Sequence, residues 1–141
     1  MATDSALRVS HPHKTFHASL WVTQILLAGM FLMAASAKLT KSPAELAVMM
    51  PFTRDVPLAL VRFIGTAELM GAVGVILPAL TRIRPWLTPL AASGLVVVML
   101  LASLFHVSRG EFFAVPINLT LGALGAFVAW GRWKKVPIAT R

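Results

Sequence analysis

Glu68 is the natural starting point for chemistry, because it is the only acid inside a long apolar run. It lies near the middle of residues 57–80, about 16–18 Å from either end at the rise of an α-helix. A carboxyl at that depth must either stay neutral or meet a cation, and such groups mark candidate functional positions. Its neighbours one turn away are Ile64, Gly65, Gly71 and Ala72, small enough for this face to pack inward. Four further polar residues are expected in the same outer half of the membrane: Lys38, Arg62, His106 and Asn118. Together with Glu68 they could line a cavity. Glu68 and His106 would exchange protons, while Lys38, Arg62 and Asn118 would bind a ligand. Gln24 falls in the opposite, inner half.

Each residue also has an ordinary reading. Lys38 and Arg62 can snorkel to headgroups, His106 can be interfacial, and Asn118 can bond a neighbouring helix. Glu68 itself can serve only to fix packing. In the N-terminal tail, His11, His13 and His17 have a spacing that could bind a transition metal, but no acidic or sulfur ligand accompanies them. No metal site is therefore assigned.

The elements that must position these residues are four apolar runs, each long enough to cross a hydrocarbon core as a helix. They cover about 18–37, 57–80, 86–105 and 114–133. The expected fold is an all-α, integral membrane four-helix bundle, with a tail at 1–17 and another at 134–141. Ser42-Pro43-Ala44-Glu45 reads as a capping box with proline in the first helical position, and Pro51 ends the following run. A short interfacial helix is expected there, in the first outer loop. Small residues spaced by four, such as Ala67 and Gly71 or Gly122 and Ala126, favour close helix approach.

Composition agrees with this class. Hydrophobic residues make up 57% of the chain and charged residues 13%, and the mean hydropathy is +0.79. The net charge of +8 is carried in short clusters between apolar runs. That pattern flanks membrane spans and does not form a nucleic-acid surface. The tails and the central hairpin hold Arg8, Lys14, Arg82, Arg84, Arg132, Lys134, Lys135 and Arg141. The other side holds Lys38, Lys41, Arg54 and Arg109, so both termini are expected in the cytoplasm. Ala35-Ser36-Ala37 resembles a signal-peptidase site. The apolar stretch before it is longer than a signal segment and its leader is long, so an uncleaved first span is expected. With no cysteine in the chain, disulfides, thiolate metal sites and cysteine nucleophiles are excluded.

The stretch Gly29–Lys38, the pattern Arg62-x-x-Gly65-x-x-Glu68-Leu69-x-Gly71, the pair Phe105-His106 and the run Pro116–Trp133 resemble the DoxX-like family of small bacterial membrane proteins. The resemblance covers about 19–133. It implies a four-helix bundle in a bacterial inner membrane, and some relatives are subunits of quinone-linked oxidoreductases or belong to quinone and oxidative-stress responses. Three classes of function stay open on these residues. One is a redox-complex subunit or quinone-interacting protein, with quinone as the ligand and a redox partner subunit or a second copy beside it in the bilayer. The others are a small proton- or solute-coupled carrier and a non-catalytic chaperone or scaffold.

Overall fold

The computed structural model describes residues 12–141, with side chains from Lys14 onward. His11 therefore lies outside the described residues, as does the side chain of His13. Five α-helices follow in order: α1 (Pro12–Thr40), α2 (Pro43–Met49), α3 (Leu58–Thr81), α4 (Leu87–Ser108) and α5 (Val115–Trp130). A single π-helical turn, Gly131–Lys135, continues α5. No strand occurs among the described residues.

Four helices are long and apolar enough to span a membrane, which makes this an all-helical, multi-pass membrane protein. α1 extends past its apolar run at both ends and α4 at its C-terminal end, because helical hydrogen bonding continues through the polar residues there. At the N-terminus this brings His17, expected in a tail, into α1. The helices close a ring in which α1 packs on α3, α3 on α4, α4 on α5 and α5 back on α1. The interior is small: Leu27, Ala28, Phe31, Ala72, Val75, Ala92, Leu95, Met99 and Val128. Large apolar side chains such as Ile25, Met33, Phe63, Met70 and Leu104 point outward, as lipid-facing positions require. Close approach comes from small residues; a Cβ added at Gly74 would stand 2.6 Å from the Cβ of Ala91.

The capping box forms as the sequence predicts. The Ser42 N–H donates to Glu45 Oε2 at 2.9 Å, and the Glu45 N–H donates to Ser42 Oγ at 3.3 Å. The Ser42 N–H and hydroxyl, with the Lys41 ammonium, hold the Glu45 carboxyl down to about 2. Met50 ends α2 at Pro51, and a 3-10 turn, Pro51–Arg54, leads towards α3. Leu46 is fully buried, anchoring α2 to the end of the bundle. This end, with residues 41–57 and 109–114, is the loop end; the opposite one is the termini end.

Candidate functional site

Arg62, Gly65 and Glu68 recur every three residues on one face of α3, the face turned to α1. Lys38 is close to the last turn of α1, yet its chain runs inward along the seam instead of outward to water. Its Nζ lies 2.9 Å from both carboxylate oxygens of Glu68, with the two side chains 8% and 4% exposed. Snorkelling of Lys38 is thereby overturned: a buried anion within reach attracts the ammonium more strongly than distant headgroups. Gly65 makes the approach possible, since a Cβ there would sit 2.8 Å from Lys38 Cβ. Arg62 donates to the backbone carbonyl of Lys38 and, at 2.7 Å, to that of Lys41. It thus closes the C-terminal end of α1, where carbonyls lack helical partners and a cation is favoured.

His106 belongs to a second cluster. Its Nδ1 is 2.6 Å from Glu111 Oε2. Arg109 donates from Nε to Glu111 Oε1 at 2.8 Å and from Nη2 to Asp55 Oδ2 at 2.5 Å. The Phe52 ring meets Phe105 and His106 edge-on, with centroids 5.9 and 5.6 Å apart, and Arg109 lies over Phe105. Gly110, at φ 71°, allows the tight reversal that returns Glu111 to His106. Hydrogen bonds from Arg109, and then from His106, pull the Glu111 carboxyl below its ordinary range. The two loops of the loop end are thereby tied together. Beneath α2, a cleft of about 220 Å³ is lined by Pro43, Leu46, Thr53, Val56, Leu58 and Val61.

A third polar group lies at the termini end. The Gln24 amide donates to the Val75 carbonyl at 2.5 Å and accepts from Arg132 Nε at 2.7 Å. Arg132 is 2% exposed. Counted in the sequence among the basic residues of the termini side, it is here turned into the bundle at the π turn.

The model of the DoxX-like family matches residues 22–128. The chain belongs to the DoxX-like family. No curated protein and no solved structure matches it. The range matched contains Lys38, Arg62, Glu68, His106 and Asn118, and stops short of Arg132.

In this DoxX-like bundle the five expected site residues fall into separate groups. Lys38, Arg62 and Glu68 come together. No hydrogen bond or ion pair among the described residues joins His106 to Glu68. Asn118 has a buried Nδ2 without a partner among the described residues. Sequence reasoning overlooked Glu111, Asp55 and Phe52. The available signal was an acid five residues beyond a helix-ending histidine, across a glycine that can reverse the chain. Among the described residues no group of three or more His, Asp or Glu could hold a metal ion. Of the tail histidines, His17 is engaged with Trp21 and Arg132.

Proposed function

We propose that this DoxX-like chain is a small subunit of, or accessory to, a quinone-linked oxidoreductase or a quinone and oxidative-stress response system. It would sit in a bacterial inner membrane with both termini in the cytoplasm. The observation that carries this reading is the loop-end cluster, in which an imidazole–carboxylate pair 2.6 Å apart meets two phenyl rings. A quinone head group is flat, enters from the lipid, and needs groups that hydrogen-bond its oxygens and supply or remove protons. Phe52 and Phe105 would offer aromatic surface to the ring, Glu111 orients His106 through Nδ1, and His106 Nε2 would be the nitrogen left for a quinone oxygen. Asn118 Nδ2 has no partner among the described residues and would be a further donor, and the apolar cleft beneath α2 would take a chain. Electrons would come from a redox partner subunit.

Glu68, the expected centre, takes a positioning role here because Lys38 already holds both its oxygens. With Arg62 it fixes α1 against α3 beneath the cluster. The orientation rests on the concentration of basic residues at the termini end. Reporters fused after Arg141 and within residues 41–51 should therefore report opposite sides, and agreement between them would rule this arrangement out.

Protein purified gently from native membranes should carry extractable quinone and bind a short-chain quinone. His106→Ala and Glu111→Gln should each weaken binding about tenfold, the loss of one good hydrogen bond, in protein that still folds. A wild-type protein that neither carries nor binds quinone, but is recovered in a stable complex, would establish the scaffold reading instead.

A further inference from the structure

The chain has five acids. Asp4 lies outside the described residues. The other four, Glu45, Asp55, Glu68 and Glu111, are all paired in the loop half of the bundle. The termini end also carries Arg82, Arg84, Lys134, Lys135 and Arg141, and among the described residues no carboxylate forms an ion pair with Arg132. Arg132 is nonetheless buried. The backbone widens into the π turn from Gly131 onward, and Gly131 presses so closely on α1 that a Cβ would stand 2.5 Å from Leu20 Cδ2. Local π geometry often accompanies functional positions.

The hydrogen bonding around Arg132 does not close. Trp21 Nε1 lies 3.1 Å from His17 Nε2, while Arg132 Nη1 lies 3.1 Å from His17 Nδ1. Indole and guanidinium are both donors only, whereas a neutral imidazole has a single acceptor nitrogen. The two therefore compete for one lone pair. Among the described residues Arg132 Nη2 is buried without a hydrogen-bond partner, and so is the hydroxyl of Thr88. Gly125 of α5 packs on Ala92 and Val96 of α4; because the two helices are antiparallel, Thr88, one turn before Ala92, lies towards the level of the π turn. The guanidinium stands over Trp21 at 5.4 Å, and Gln24 Oε1 satisfies only Nε. Among the described residues this end thus has a buried positive charge whose Nη2 hydrogens meet no acceptor, which is costly when left unmatched.

We infer that Arg132, with His17, Trp21 and Gln24, forms a recognition site for a phosphate oxyanion at the termini end of the bundle. A phosphate supplies the negative charge and several lone pairs, and its oxygens fit the guanidinium fork. The exposed indoles of Trp86, Trp130 and Trp133 place this end at a headgroup level. The phosphate therefore comes from an anionic lipid head group or from free phosphate. The basic residues at this end draw either one in.

The test uses the full chain, delipidated in a neutral detergent. Phosphatidylglycerol, phosphatidylcholine and inorganic phosphate are added separately, with chloride at equal ionic strength as the control. The wild-type unfolding temperature should rise by several degrees with phosphatidylglycerol if the source is lipid, or with inorganic phosphate if it is free. Arg132→Gln should abolish the response. Should that variant fail to fold, Arg132→Lys, which keeps the charge and loses the fork, should bind about tenfold more weakly. A wild type indifferent to both anions, or an Arg132 variant that responds like it, overturns the site. So does Asp4→Asn if, without any additive, it destabilises the protein as much as Arg132→Gln, because the partner is then a carboxylate of the chain itself.

Discussion

Glu68→Leu should destabilise the protein by about 3–5 kcal/mol, and Lys38→Met by a similar amount, because each leaves one buried charge without its partner. The double variant Lys38→Met/Glu68→Leu should recover most of this loss, ending within about 1–2 kcal/mol of the wild type or above it. The expectation follows from geometry: Nζ is 2.9 Å from both oxygens, and both side chains are buried. Reversible unfolding in mixed micelles measures the cycle, and simple addition of the two single losses would show that the pair is not coupled. The same variants separate positioning from chemistry. A folded double variant that still binds quinone leaves Glu68 as a clamp between α1 and α3. A folded double variant, or Glu68→Gln, that has lost binding returns Glu68 to the reacting centre.

Gly65→Val should be the next most damaging single change. A Cβ at Gly65 would meet Lys38 Cβ at 2.8 Å and Leu39 Cγ at 3.2 Å. Lys38 Cβ is fixed to the backbone and cannot swing away, so α1 and α3 would have to separate. Gly65→Ala should then cost about 1–3 kcal/mol, and the branched valine more. Separation at this level also draws Lys38 from Glu68 and Arg62 from the end of α1. Gly94 supplies the contrast, since it meets nothing within 4 Å; Gly94→Ala should be close to neutral or slightly stabilising. Thermal unfolding of the three variants side by side measures the difference, and equal effects at positions 65 and 94 would contradict the packing argument.

Local chemistry was enough for much of this molecule to be read from its residues. Apolar runs of spanning length determine four membrane helices, because any other backbone leaves polar groups unsatisfied in lipid. Ser42, Pro43 and Glu45 determine where α2 starts, because a capping box is complete within four residues. Glu68 stands out by depth alone, and the stripe Arg62–Gly65–Glu68 already places the three on one face of α3.

Partners across helices were decided only by the tertiary structure. His106 and Glu68 both belong to the loop half, yet depth specifies neither the rotation of a helix about its axis nor which neighbour it faces. Those follow from how Gly65, Gly74 and Gly131 let particular backbones approach. Lys38 could have risen to the headgroups; the opening beside Gly65 gives it a shorter path to an anion. In one dimension, Gly131-Arg132-Trp133-Lys134-Lys135 reads as an ordinary basic flank. Its π turn and the contact of Gly131 with Leu20 direct one of those cations inside, because hydropathy records how polar a side chain is and not which way the backbone turns it.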